Sequence, residues 1–339
     1  MMKGQKMSIQ EVDQISITIL MDNSTDLLLK NSSHATRAPL TMNEKFVLPP
    51  PIAEHGFSAL VNVVKYEKNS YTKNNNNIFL FDTGVSENGV LHNIDVFGIN
   101  FDQIKGIILS HGHFDHFTGL VSIIKTMSFR QPTANLNLFI HPDVFLKRWV
   151  IFPDGRRAKM PFLDEKNLEK MGVQIHKNTG VRLLPNDKFP WLLITGEIPR
   201  VTNYERGFPI QYTENPHDNE KDLRPDPLVK DDQAIVANVR NKGLVILTAC
   251  GHSGIINTIN YAKKVTRINK IYAVIGGFHL PADGGIYEQA IEPTIKELEK
   301  ADPDYIVPCH CTGWKATNRI IESFPEKFMQ SSVGTTFKF

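Results

Sequence analysis

Cysteine is scarce in this sequence: Cys250, Cys309 and Cys311 are the only three in 339 residues. Three thiols cannot make a disulfide framework, and Cys309 and Cys311 are too close for an easy mutual bridge, so the expected compartment is a reducing cytoplasm. Long apolar runs are lacking too. The N-terminal stretch 15–20 is interrupted by Ser16 and Thr18 and is too short and too polar for the core of a signal peptide. No segment approaches the roughly 20 apolar residues of a spanning helix. Charge of one sign is also missing: 38 basic against 36 acidic residues leave a net +2, with no Lys/Arg stripe of the kind nucleic-acid binding uses. The expected partner is a small-molecule substrate, with neither nucleic acid nor membrane. What remains is an ordinary globular composition, 41% hydrophobic and 22% charged, able to bury a sizeable core. The length allows two domains or one large α/β domain with insertions. The expectation is a single domain over 1–339 with a loop-rich insertion at about 152–232.

Against that background one stretch stands out. Ile107-Ile108-Leu109-Ser110-His111-Gly112-His113-Phe114-Asp115-His116 places three histidines and an aspartate within six residues, directly after an apolar run. Imidazole nitrogen and carboxylate oxygen are ligands for Zn²⁺, Fe and Mn²⁺. The pattern predicts a strand over 106–110 that ends in a turn at Gly112, where glycine permits a tight bend. A helix follows from Phe117 to about Met127, with Leu120, Ile123, Ile124 and Met127 on one face. His111 and His113, two apart, can point the same way from an extended segment. Asp115 and His116, adjacent at the turn, must point differently. That suits two metals side by side, roughly 3.5–4 Å apart in such centres.

Along the rest of the chain, Ile15–Leu20 alternates apolar and polar residues like a half-buried strand. Residues 31–51 read as a loop, 59–64 as a strand, and the Asn74–Asn77 run as the tip of a hairpin into Ile78–Phe81. Asp82 closes that strand. Its two readings are a plain turn residue and an acceptor that fixes a ligand imidazole. Leu136–Ile140 is a strand ended by His141-Pro142, where His141 has no partner motif and reads as surface or structural. From 152 to 232 the pattern weakens into short strands at 173–176, 181–184 and 191–195, then a proline-rich, charged loop at 212–232 of the kind that forms binding lids. Strong rhythm returns with strands at 233–239, 243–248, 271–275 and 305–307 and helices ending near Val265 and spanning about 314–324. His252, His279 and His310 each follow one of these apolar strands, as His111 does. Strand ends at one sheet edge are where open α/β folds place their sites.

The motifs Glu54-His55-Gly56-Phe57-Ser58, Phe81-Asp82-Thr83-Gly84, His111-Gly112-His113-Phe114-Asp115-His116, Ala249-Cys250-Gly251-His252, Gly276-Gly277-Phe278-His279-Leu280 and His310-Cys311-Thr312-Gly313 occur in this order. The sequence resembles the metallo-β-lactamase superfamily, with its His-x-His-x-Asp-His signature. Within it, the sequence is similar to the branch named after 7,8-dihydropterin-6-methyl-4-(β-D-ribofuranosyl)-aminobenzene-5'-phosphate synthase. The resemblance covers about residues 15–339. It implies an α/β fold, an αββα sandwich with two mixed sheets flanked by helices, and a centre of two divalent ions, zinc first, with Mn or Fe as alternatives.

On that resemblance His111, His113 and His252 hold one metal, and Asp115, His116 and His310 the other. Many relatives carry a bridging aspartate where this chain has Cys250, so either Cys250 or His252 could ligate, with His252 favoured. Asp115 and His279 are the candidate catalytic groups, His279 as acid or substrate contact. Glu197 and Arg200 are candidates for the metal edge and for a phosphate, the latter through a bidentate fork; an ordinary surface ion pair is their other reading. Divalent ions acidify water and polarise carbonyl or phosphoryl oxygen. The same ligands therefore serve hydrolysis or a condensation that displaces pyrophosphate. A generic metallohydrolase of lactones, esters or phosphodiesters and a non-catalytic small-molecule binder are the alternatives. A redox role lacks an appended flavin module, and a nuclease role is disfavoured by balanced charge.

Overall fold

The computed structural model describes residues 9–65, 77–130, 136–185, 190–215, 222–281 and 285–339. Two mixed sheets face each other. In the first, of eight strands, the order is Gln174–Lys177, Asn137–Ile140, Ile104–Ile108, Asn77–Phe81, Ser58–Val64, Gln14–Met21, Thr336–Lys338 and Ala35–Thr36. Its first four strands run parallel, and the rest alternate. In the second, of seven strands, the order is Arg182–Leu184, Leu192–Ile194, Ile235–Val239, Gly243–Leu247, Ile271–Gly276 and Tyr305–Pro308, with Glu11–Val12 alongside Ile235–Val239.

Strand alternation sorts side chains between layers. Phe79 and Phe81 point into the core shared by the sheets, together with Ile15, Ile17, Ile235 and Leu247. Ile78 and Leu80, one residue out of phase, join the outer core under the helices Gly89–Val96 and Leu120–Arg130. The second sheet's outer face is covered by Ile255–Thr266, Gly285–Ala301 and Trp314–Ser323. Ile15, Ile17 and Ile19 are almost wholly buried, each worth roughly 1.5–3 kcal/mol. The result is the αββα sandwich expected from the resemblance.

Several details differ from the sequence reading. The helix expected from Phe117 is two pieces, Phe114–Phe117 and Leu120–Arg130. The break falls at Gly119, where a Cβ would lie 2.2 Å from the Thr83 carbonyl oxygen; glycine alone allows this backbone approach. The stretch 152–232, expected to be loop-rich, feeds edge strands to both large sheets and completes a separate four-stranded sheet of Arg157–Lys159, Arg148–Ile151, Gln211–Glu214 and Leu223–Pro225. These strands are three or four residues long, too short to show a period. His141, by contrast, has the structural one of its two expected roles: it is buried and its Nδ1 accepts the Asp143 amide at 3.1 Å. Asn74–Asn76 of the expected hairpin tip and Pro216 lie outside the described residues. No helix among the described residues is long and apolar enough to cross a membrane.

The parallel registers bring six chain segments to one rim. Asp22, Asp82, His111, Cys250, His279 and His310 each follow a strand within a few residues, and all but Asp22 follow strands that run parallel to a neighbour.

Candidate metal centre

At this rim the predicted histidines converge. Ring centroids lie 4.5 Å apart for His111 and His113, 4.6 Å for His113 and His252, and 4.3 Å for His111 and His116, with His116 and His310 at 5.0 Å. All six proposed ligands are buried. Residues separated by up to 199 positions in sequence, His111 and His310, thus meet through tertiary structure alone. Backbone strain accompanies the assembly: Asp82, His279 and His310 adopt φ of 59°, 45° and 50°, a region that costs a non-glycine residue about 1–3 kcal/mol.

The surrounding hydrogen bonds decide which nitrogen each ring offers. Asp82, fully buried, accepts the Ser110 amide and hydroxyl, each at 2.7 Å, and the His116 Nδ1–H at 2.8 Å. Because Ser110 Oγ spends its proton on Asp82, it accepts from His111 Nδ1 at 2.8 Å. Asp82 and Ser110 thus hold His116 and His111 through their Nδ1–H groups; His111 Nε2 has no partner, and His116 Nε2 faces Cys250 Sγ at 3.2 Å. His113 is turned the other way. Its Nε2–H donates to Gln211 Oε1, while Gln211 Nε2 donates to Asp226 at 2.9–3.0 Å, so the amide cannot flip without losing both partners. This leaves His113 Nδ1 facing His252 Nε2 at 3.0 Å. Asp22 fixes the backbone at His310 rather than its ring, accepting the His310 backbone N–H at 3.0 Å and the Ser331 hydroxyl at 2.7 Å.

A second scaffold supports the 111–113 turn. Arg148 forms a two-pronged pair with Asp231 at 2.6 and 3.0 Å and reaches Asp226 at 3.2 Å. Asp231 also accepts the Gly112 amide at 2.7 Å. The small sheet therefore grips the ligand loop twice, through Gly112 and through His113.

The electrostatics follow from burial. Burial drives His111 and His252 well below the usual histidine range and His113 down to about 4, so these rings are neutral donors of lone pairs. Burial also opposes a charge on His116, but Asp115 and Asp82 outweigh it and lift this ring to about 10. Asp115 is ionised despite burial, held well below its usual value by His116 and His310.

The donor atoms fall into groups that could hold a metal ion. Asp115, His116, Cys250 and His310 form one, and His111, Cys250 and His252 a second, with donors in each group within 4.8 Å of one another. His111 Nε2, His252 Nδ1 and both nitrogens of His310 are buried without hydrogen-bond partners. A buried unpaired polar atom costs about 1–3 kcal/mol, so several around one point fit a ligand set. Cys250 and His252 are not alternatives in space; both stand at the cluster. His279 lies beside it, its centroid 4.0 Å from that of His252. Tyr287 spends its hydroxyl proton on the Gly207 carbonyl at 3.2 Å, and its oxygen faces His279 Nε2 at 3.4 Å, which leaves Nδ1 without a partner.

Two sequence candidates are not brought here. Glu197 is exposed near Lys230, and Arg200 donates to the carbonyls of Ile198 and Leu228; neither lines the cavity at the cluster. The reason is the turn at Gly196, φ 65°, after which the Glu197 amide bonds to the Thr179 carbonyl at 2.8 Å and carries the segment to the outside. Conversely, Asp22, Gln211, Arg148 and Asp231 have no motif of their own. Of these only Asp22 had a usable signal, an acid directly after an apolar strand, as Asp82 is.

Comparison with known proteins agrees with this geometry. The fold matches Tm1679, a metal-dependent hydrolase of the β-lactamase superfamily, with a TM-score of 0.65 at 22% identity over 96% of this chain and 98% of that one. It also matches unliganded yeast PDE1, with a TM-score of 0.54 at 10% identity over 97% and 100%. These likenesses show the metallo-β-lactamase fold. A family model for the anti-Pycsar protein Apyc1 matches residues 55–155, which include Asp82 and the 111–116 cluster. The 7,8-dihydropterin-6-methyl-4-(β-D-ribofuranosyl)-aminobenzene-5'-phosphate synthase of Methanocaldococcus jannaschii is 34% identical over 293 residues, 85% of this chain and 90% of its own length. The chain belongs to that synthase's family. An uncharacterised protein of the same organism is 30% identical over 79% of this chain and 88% of its own.

Proposed function

We propose that the chain is a metal-dependent enzyme whose dinuclear centre acts on a small phosphorylated or pterin-like substrate, joining a dihydropterin pyrophosphate to an aminobenzene ribose phosphate with loss of pyrophosphate. The observation that carries this reading is the pair of donor groups meeting at Cys250 beside a cavity of about 460 Å³. One ion would be held by His111, His113 and His252, the other by Asp115, His116 and His310. Bound there, divalent ions supply Lewis acidity toward phosphoryl oxygen and activate water. The protein's own part is positioning. Val150, Phe152, Met160, Phe208 and Ile210 wall the cavity with apolar surface, which suits a planar ring system, while the polar end of the substrate meets the histidine rim. His279, with Nδ1 free beside the cavity and Nε2 facing Tyr287, holds or returns a proton at the departing or attacking group.

A second reading, hydrolysis of a lactone, ester or phosphodiester, draws on the same ligands and on the hydrolase-like fold. The two separate in one experiment. Purified protein is analysed for metal, then assayed with the dihydropterin pyrophosphate and aminobenzene pair and with generic phosphodiester and lactone substrates. Release of pyrophosphate only when both partners are present supports condensation; turnover of the generic substrates alone supports hydrolysis. His111→Ala and Asp115→Ala should each lose bound metal, and full retention in both would defeat the assignment.

A further inference from the structure

The sulfur of Cys250 occupies an unusual place. It belongs to both donor groups of the proposed centre, with Asp115, His116 and His310 on one side and with His111 and His252 on the other, and to a third group with His279 and Cys311. Its Sγ is 3.2 Å from His116 Nε2. The residue is buried, directly after the strand Gly243–Leu247, on a backbone that leaves little freedom. Gly277 packs so closely that a Cβ there would lie 3.1 Å from Cys250 Cα, and Gly251 follows at φ 67°. The neighbouring thiol, Cys311, donates to the Cys250 carbonyl at 3.0 Å. That bond runs to the Cys250 backbone oxygen, and the two thiols also interact side chain to side chain.

We propose that Cys250 bridges the two metal positions as a thiolate, so that this centre is joined through sulfur. The inference rests on the dinuclear reading above. The thiol gives up its one proton to solvent as the first sulfur–metal bond forms, and the second bond uses a remaining lone pair of the thiolate. One thiolate and the Asp115 carboxylate then supply two negative charges to two divalent cations, with the imidazoles neutral. A shared thiolate also selects the ion. Sulfur ligands favour zinc and similar borderline ions over manganese and magnesium, which prefer oxygen. Zinc bonds to sulfur are about 2.3 Å and to nitrogen about 2.0–2.1 Å, lengths compatible with donor atoms that lie within 4.8 Å of one another.

Cobalt(II) is the probe, because thiolate ligation gives it a sulfur-to-metal charge-transfer band in the near ultraviolet. The full-length chain is stripped of metal, titrated with cobalt, and read for stoichiometry and absorption. The wild type should take up two ions and show the band. Cys250→Asp, which keeps an anionic bridging group, should keep two ions and lose the band. Cys250→Ala should fall to one tightly held ion. Cys311→Ser should leave both readouts unchanged. A wild type that binds two cobalt ions with no band overturns the thiolate bridge and leaves the dinuclear reading standing. A band that survives in Cys250→Asp, or vanishes in Cys311→Ser, assigns the sulfur elsewhere and also refutes the proposal. A folded chain that binds no cobalt overturns both.

Discussion

Removing the guanidinium of Arg148 tests how the small sheet holds the ligand loop. Arg148 and Asp231 are 1% and 0% exposed, and the pair is two-pronged at 2.6 and 3.0 Å. In Arg148→Met the carboxylate of Asp231 stays buried with the Gly112 amide as its remaining partner. Breaking a buried ion pair by deleting one member costs about 3–5 kcal/mol, because the other charge is stranded. Urea unfolding monitored by fluorescence should show a loss of that size. Arg148→Met combined with Asp231→Asn should cost clearly less than the sum of the single variants, since both charges leave together. The pH dependence has a definite sign. Burial raises the Asp231 pKa, but Arg148 outweighs burial and holds it below 3.8. A lowered acid contributes stability that is fully present above its unfolded value and lost as the pH falls through the folded one. The contribution of the pair is therefore fully present at neutrality and is lost as the pH falls below 3.8 through the lower folded value, where the gap between wild type and Arg148→Met closes. A single variant within about 1 kcal/mol of wild type, or strictly additive effects, would refute the reasoning.

Gln211→Leu removes the acceptor that fixes the His113 tautomer, so metal affinity measured by chelator competition should fall about 10–100-fold; unchanged affinity would show that Gln211 does not orient the ring. Glu205 accepts the Ile256 and Asn257 amides at 2.8 and 2.9 Å at the start of the helix Ile255–Thr266. Its burial raises the carboxyl to about 6 from 4.5. A raised acid contributes stability that is present below pH 4.5 and lost as the pH rises through 6, so relative to Glu205→Gln the wild type should lose about 2 kcal/mol between pH 4.5 and 7. A gap that stays flat over that window would mean the carboxyl is not perturbed. Gly276→Ala should cost about 3 kcal/mol or more, since Gly276 has φ 121° and its Cβ would lie 2.0 Å from the Thr248 carbonyl oxygen; a wild-type melting temperature would contradict the packing described.

The sequence by itself determined the elements whose signal is local. Ile104–Ile108 and the ligand run after it are legible because the residues that make the strand and those that carry the chemistry are neighbours. The same holds for His252, His279 and His310, each following an apolar strand. Helices Gly89–Val96 and Gly285–Ala301 were not legible; the second carries Pro293 inside it, a residue that argues locally against a helix. Only the tertiary structure decided which groups meet. Arg148, Gln211 and Asp231 occupy short strands and loops with no period, and their roles arise from a sheet that the sequence did not announce. Whether Cys250 replaces His252 or stands beside it also depends on how the Gly243–Leu247 and Ile104–Ile108 strand ends approach each other across the sandwich. Local patterning is read from neighbours along the chain, whereas distances between donors are set by packing between sheets, and no stretch of residues encodes that separation alone.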